Sequence, residues 1–185
     1  MTTYVLDAEW YSSGDVVLDA EYLHCVCFKE LHKDIWEEEV GDGFIHSTWI
    51  NDFFSQEGNI YIGHNILNAD FEVFRRVLGI PFTVGPDSIM GKECTFIDTL
   101  TMSRRLNPDR QLPKGCPTKV WNPVTQKNDL IGPHSLMAWS YKLRGEKPVV
   151  HDWRDQPIEV YLERCRADVE LTEELYLYLV EKEMR

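Results

Sequence analysis

The chain has 185 residues, 43% of them hydrophobic, with 31 acidic against 19 basic side chains and a formal charge of −12. That length supports a single compact domain over residues 1–185 that buries roughly 70% of the surface its unfolded chain exposes. Six Trp, eight Tyr and eight Phe exclude a long solvated tail, and no apolar run approaches the ~18 residues that a membrane span needs.

Taken in chain order, Tyr4 to Glu9 reads as a first strand, Leu23 to Lys29 as a second and Ile35 to Val40 as a third, with turn residues between them. His46 to Ser55 has helical spacing, with Trp49, Ile50, Phe53 and Phe54 on one side. Asn59 to Gly63 is a short apolar strand. Ala69 to Leu78 is expected to be a helix with Phe71, Phe74, Val77 and Leu78 on one face, stopped by Gly79 and Pro81. Cys94 to Asp98 reads as a strand and Thr99 to Arg105 as a helix. Residues 107–133 hold five Pro and two Gly with little periodicity and are expected to form a long loop. Ser135 to Leu143 is helical. A last helix over about 158–182 carries Ile158, Leu162, Cys165, Val169, Tyr176 and Leu179 along one stripe. Strands early and helices interspersed and late predict an α/β fold, a mixed β-sheet flanked by helices.

Five cysteines, at 25, 27, 94, 116 and 165, are an odd number with no C-x-x-C pair. Cys25 and Cys27 lie in an apolar run and are read as core residues of a strand rather than as metal ligands. Reduced thiols, and a first segment Met1-Thr2-Thr3-Tyr4 without basic or apolar character, suit a cytoplasmic protein with no membrane contact.

Net negative charge argues against a polyanionic partner, but the charge is unevenly spread. Residues 1–99 carry 5 basic and 18 acidic side chains, residues 100–150 carry 9 and 3, and residues 151–185 carry 5 and 10. In the basic segment, Arg104, Arg105, Arg110, Lys114, Lys119, Lys127, Lys142, Arg144 and Lys147 are interleaved with Trp121, Trp139 and Tyr141. Such a surface either tracks a phosphate backbone and stacks bases, or is an ordinary solvated face.

The sharpest local feature is Asp7-Ala8-Glu9. Two residues apart on a strand puts both carboxylates on one face, where like charges side by side call for a cation or a raised pKa. Asp70 follows the strand–turn segment Gly63-His64-Asn65-Ile66-Leu67-Asn68-Ala69. It reads either as a functional acid at a strand–helix junction or as an ordinary first-turn acid. Asp168 sits at the border of the last helix's apolar stripe, where it either faces a site or pairs with Arg164 four residues before it. Four such acids are hard oxygen donors suited to Mg²⁺ or Mn²⁺.

In this order the acids resemble the DEDD (DnaQ-like) 3′–5′ exonucleases, whose fold is RNase H-like. More narrowly, the chain looks like the proofreading exonuclease domain of phage family-A DNA polymerases. The likeness rests on Asp7 and Glu9 as a first motif, His64-Asn65 with Asp70 as a second and Asp168 as a third. It is extended by Asp98-Thr99-Leu100-Thr101-Met102-Ser103-Arg104 and by Pro133-His134-Ser135-Leu136-Met137-Ala138-Trp139-Ser140-Tyr141-Lys142-Leu143.

The resemblance implies two Mg²⁺ or Mn²⁺ ions, with Asp7, Glu9 and Asp168 on one, Asp7 bridging to the second and Asp70 helping to place that one through water. It implies that Asn65 helps to hold the terminal nucleotide or braces the site, and that single-stranded DNA 3′ ends are shortened to nucleoside monophosphates. Arg104 and Arg105 are the expected phosphate contacts. The family carries a Tyr four residues before its last Asp or a His five before it; here those positions hold Arg164 and Glu163, which leaves Glu163 or His151 as candidates for the base. A residue often aromatic before the second-motif Asp is Ala69. The resemblance also allows RNA as substrate, a DNA polymerase as partner and a host-cytoplasm location if the protein is of phage origin. The alternatives are a catalytically weakened nucleic-acid-binding or polymerase-docking module, and an acidic cytosolic binding protein.

Overall fold

The structure is a computed structural model. It describes residues 1–12, 17–40, 48–80, 83–84, 88–90, 94–122, 126–145 and 156–184. The chain opens with β1 (Thr3–Ser12), a 3-10 turn at Val17–Asp19, β2 (Ala20–Glu30), β3 (Trp36–Val40), α1 (Thr48–Phe54) and β4 (Ile60–Gly63). There follow α2 (Asp70–Val73), β5 (Thr83–Val84), β6 (Ser88–Met90), β7 (Thr95–Asp98) and α3 (Thr99–Leu106). The chain ends with β8 (Lys119–Asn122), β9 (Lys127–Leu130), α4 (Leu136–Leu143) and α5 (Ile158–Glu183).

Seven strands form one mixed sheet in the order β3-β2-β1-β4-β7-β6-β5. β1 is antiparallel to β2 and parallel to β4, and β4 is parallel to β7. Strand alternation splits β1 cleanly. Leu6 and Ala8 face a core with Phe28, Tyr61 and Phe96, covered by Ile50, Phe53 and Phe54 of α1 and by Phe71 and Val73 of α2. Val5 faces the other side and packs with Cys25, Cys27 and Ile62 under Tyr161, Cys165 and Val169 of α5. A third cluster joins α3, α4 and α5 through Met102, Trp139, Leu175 and Leu179. The mixed α/β sheet flanked by helices is therefore as the pattern predicts, with Asp7 and Glu9 on the α5 side.

Three elements differ from expectation. The expected loop over 107–133 contains the β8–β9 hairpin, a separate two-stranded sheet. Val120 and Trp121 supply β-formers there, but every described residue of β9 is exposed, so no apolar alternation advertises it. The expected helix over Ala69–Leu78 begins at Asp70 and loosens after Val73 into a π-turn over Phe74–Leu78, ended by Gly79 at φ 68°. The strands of the first hairpin are longer than the apolar runs because register shifts after Glu9 and Tyr11 let pairing continue to Ser12.

On α5 the predicted stripe is buried at Cys165, Val169 and Leu179 and partly buried at Ile158, Leu162 and Tyr176, and the helix also buries a charge that spacing did not suggest. Glu173 is 8% exposed, pairs with Lys29 of β2 and accepts from the His32 backbone amide at 2.9 Å. This pins the helix to the β2–β3 turn.

Candidate active site

The acids gather where the parallel pairing of β1 with β4 ends. The β1–β4 register runs to Val5↔Ile62, so Asp7 and Glu9 project just past the end of β4, a location where open α/β sheets commonly bind ligands. α5 crosses this end and brings Asp168. One carboxylate oxygen from each of Asp7, Glu9 and Asp168 lies within 4.8 Å of the others. Asp168 is buried at 6% exposure. Three carboxylates this close repel in low dielectric unless a cation sits among them.

Asp70 stands apart from that trio. It is the first residue of α2, 3% exposed, and its Oδ1 has no hydrogen-bond partner among the described residues. Burial pushes its carboxyl up to about 7, with Asp98 adding to the rise and its own and the Ala8 backbone amides opposing it. The Ala8 amide ties Asp70 to the backbone between Asp7 and Glu9. The three clustered carboxylates fit a site for a hard divalent cation, with Asp7, Glu9 and Asp168 as the holding set, and Asp70 is a buried carboxyl with an orphaned oxygen joined to the same strand through Ala8.

The turn between β4 and α2 is tightly specified. Gly63 has no room for a side chain: a Cβ there would stand 2.8 Å from Cδ1 of the fully buried Ile66. Asn65 adopts φ 63°, a left-handed conformation that Asn tolerates. Asp98 at the end of β7 holds the turn. Its Oδ1 accepts from the Asn65 amide at 3.0 Å and from Leu100 at 2.8 Å, where it caps α3, and its Oδ2 accepts from Leu67 at 3.3 Å. Burial raises the Asp98 carboxyl despite these donors. The signal for Asp98 in the sequence is that of an N-cap, an acid immediately before a helical segment.

Asn65 opens onto a cleft of about 250 Å³ lined also by His64, Leu100, Arg104, His134 and Leu136. His134 is buried, and its Nδ1 lies 2.7 Å from Ser103 Oγ, which also accepts from Trp139 Nε1 at 3.1 Å. Arg110 stacks 3.5 Å over the Trp139 ring and donates to the Pro133 carbonyl at 2.6 Å. The cleft wall is thus built by the 133–143 segment that carried the resemblance.

The remaining expected site residues fall in different places. Arg104 lines the cleft, but Arg105 donates to Glu183 of α5 at 2.7 Å. Arg144, also in the basic segment, is bound by Glu174 at 2.8 Å. Two of the segment's nine basic side chains, Arg105 and Arg144, therefore neutralise acids of α5. Glu163 is exposed on α5 and is not part of the three-carboxylate group. His151 lies outside the described residues. Arg164 occupies the position of the family's tyrosine, with Nε 2.8 Å from Asp168 Oδ2 and 3.9 Å from Glu9 Oε1. Tyr161 is stacked on His24 at 3.9 Å and buried.

No protein-family model matches the sequence, and no curated protein matches it. Solved structures do match in fold. One is an apo nuclease, with 14% identity and a TM-score of 0.61, over 99% of this chain and 73% of that one. Another is Escherichia coli RNase D, an exoribonuclease of structured RNA processing, with 14% identity and a TM-score of 0.59, over 97% of this chain and 39% of that one. A third is the zinc-bound complex of E. coli exonuclease I with single-stranded DNA, with 13% identity and a TM-score of 0.54, over 95% of this chain and 39% of that one. This chain therefore spans well under half the length of the last two. The fold is the RNase H-like fold of the DnaQ-type exonucleases. No described helix is long and apolar enough to cross a membrane.

Proposed function

We propose that the chain is a divalent-metal-dependent 3′–5′ exonuclease that shortens single-stranded DNA ends and releases nucleoside monophosphates. The observation that carries this reading is the convergence of Asp7, Glu9 and Asp168 within 4.8 Å just past the end of β4, from two elements far apart in sequence. Asp7, Glu9 and Asp168 would hold one Mg²⁺ or Mn²⁺, and Asp70, losing its proton, would help to hold a second. When bound, two such ions lower the pKa of a coordinated water and stabilise charge on the leaving oxygen of a phosphodiester.

The chain's own residues bind and orient the strand. The cleft beside Asn65 receives the 3′-terminal nucleotide, and Arg104 meets a phosphate there. Asp98 holds Asn65 in place through its backbone amide. The ordered turn and the buried wall at Ser103, His134 and Trp139 keep the cleft's shape fixed as the strand enters.

The test is a gel assay on 5′-labelled single-stranded DNA and the matched RNA, with Mg²⁺, Mn²⁺ or EDTA, beside Asp7→Asn. A metal-dependent ladder shortening from the 3′ end of DNA, absent in the variant, supports the proposal. A ladder on RNA alone replaces the substrate by RNA. A second reading, a weakened nucleic-acid-binding module, is favoured by Arg164 standing against Asp168 where the resembled family has tyrosine. It predicts strand binding without any ladder.

A further inference from the structure

Beside the acid site, on the same face of the sheet, lie three thiols. Cys25 and Cys27 of β2 and Cys165 of α5 are each completely buried, and their sulfurs lie within 4.8 Å of one another. The two β2 cysteines sit on the rungs opposite Glu9 and Asp7. The Cys165 thiol donates to the Asp7 carbonyl at 3.1 Å. Around them the wall is apolar, formed by Val5, Ile62 and Val169.

We propose that Cys25, Cys27 and Cys165 form a second cation site that takes one thiophilic d¹⁰ ion, of the Cu(I) or Cd(II) class, in three-coordinate sulfur ligation. A buried cysteine usually acts as a small apolar side chain, and Cys94 does so on the opposite face of the sheet, with no second thiol in its cluster. The other three differ because two separate elements aim their sulfurs at one point. With metal–sulfur bonds of about 2.3 Å, the sulfurs of a trigonal unit stand about 4 Å apart, a spacing that the observed triangle accommodates. Thiolates select soft ions, whereas the carboxylates next door select hard ones, so the two sites divide cations by chemistry. Three sulfurs in an apolar pocket match a three-coordinate ion better than Zn²⁺, whose structural sites are four-coordinate.

Loading exchanges thiol protons for metal–sulfur bonds. The protons leave to solvent and no oxidation state changes. Arg166, which follows Cys165, is already paired with Glu38, opposite Cys27 on β3, so the ion itself supplies the charge that offsets the thiolates. A loaded site would tie α5 to β2 within one rung of Asp7 and Glu9, so it would hold the acid cluster together. This inference stands independently of the nuclease reading.

The probe is Cd²⁺, added to the full chain carrying Cys116→Ser, which removes the partly exposed thiol. Excess Mg²⁺ is present to fill hard sites. Because the triangle is sealed, Cd²⁺ is supplied both to folded protein and during refolding. The expected result is one ion per chain, an ultraviolet thiolate-to-cadmium charge-transfer band, a melting temperature higher by several degrees and slower amide exchange over residues 162–168. Cys25→Ser, Cys27→Ser and Cys165→Ser should each cut the band by roughly a third and weaken binding at least tenfold, with Asp7→Asn leaving the band unchanged. Should a serine variant fail to fold, the cadmium NMR shift of the parent reports sulfur or oxygen ligation directly. Absence of the band under both loading conditions, an oxygen-type shift, or a band indifferent to all three substitutions overturns the proposal.

Discussion

Arg164 and Asp168, one turn apart on α5, are joined at 2.8 Å between Nε and Oδ2, and the same nitrogen is 3.9 Å from Oε1 of Glu9. All three side chains are mostly buried. The guanidinium therefore lies against two of the three carboxylates proposed to hold a divalent ion, and it competes with that ion for the same negative charge. At 4 Å and an effective dielectric near 20, one unit charge against another is worth about 4 kcal/mol before desolvation is subtracted.

Replacing Arg164 by Gln should accordingly tighten Mn²⁺ binding by roughly tenfold or more, since each factor of ten needs only about 1.4 kcal/mol of that repulsion. The same change should destabilise the metal-free protein by about 1–3 kcal/mol, because it leaves clustered carboxylates without a counter-ion. Calorimetric titration with Mn²⁺ and denaturant melts in EDTA read the two effects. Unchanged Mn²⁺ affinity would show that the guanidinium does not compete for the site.

Asp70 makes the metal-free protein sensitive to pH in a direction opposite to that of an ordinary salt-bridged acid. Its folded carboxyl is raised to about 7 from the ordinary aspartate value of 3.8. Between those values the folded state holds a proton that the unfolded state has lost, so stability falls as pH rises from about 4 to about 7 and then levels off. The span corresponds to a loss of a few kcal/mol at most, at roughly 1.4 kcal/mol per pH unit. Thermal melts in EDTA across this range should show the decline, and Asp70→Asn should flatten it. Adding Mg²⁺ at pH 8 should stabilise the parent more than the variant, which keeps the Asp7, Glu9 and Asp168 set but lacks the acid for a second ion.

The paired acids of β1 were legible because a strand's two-residue period puts positions 7 and 9 on one side whatever the rest of the chain does. Asp168 was legible only as the edge of a stripe; which side of the sheet α5 covers, and hence which acids it meets, is a tertiary fact. The thiol triangle was hidden for the same reason, since Cys165 lies 138 positions beyond Cys27 in sequence. Arg105 looked like a phosphate contact because charge counting sees composition and not partners. Its partner, Glu183, comes from the far end of the last helix. The π-turn after Val73 escaped because Phe71, Phe74 and Leu78 keep helical spacing through it.

Asp98 is the structural hinge of the cleft, because one buried carboxylate satisfies amides of both the 65–67 turn and the first turn of α3. Asp98→Ala should cost about 2–4 kcal/mol by leaving those donors unmet in a buried setting. Under conditions where the variant remains folded, strand affinity should drop more than Mn²⁺ affinity, since Asn65 moves while Asp7, Glu9 and Asp168 keep their own supports. Denaturant melts, Mn²⁺ titration and DNA binding by anisotropy separate these three. A loss of Mn²⁺ affinity equal to the loss of DNA affinity would mean that the turn and the acid cluster are one unit.

Two adjacent arginines provide an internal control for the strand path. Arg104 lines the cleft beside Asn65 and His134, whereas Arg105 points to Glu183 and is held at 2.7 Å. Removing a phosphate contact reduces the slope of log affinity against log salt by about 0.7 on a single strand. Arg104→Ala should lower the slope by that amount and weaken binding equally on different sequences, because a phosphate contact carries no base information. Arg105→Ala should leave the slope unchanged and affect stability by only about 0–1 kcal/mol, the worth of an exposed ion pair. Salt titrations of oligonucleotide binding in catalytically silent Asp7→Asn protein measure both. Equal slopes for Arg104→Ala and the parent would move the strand away from this cleft.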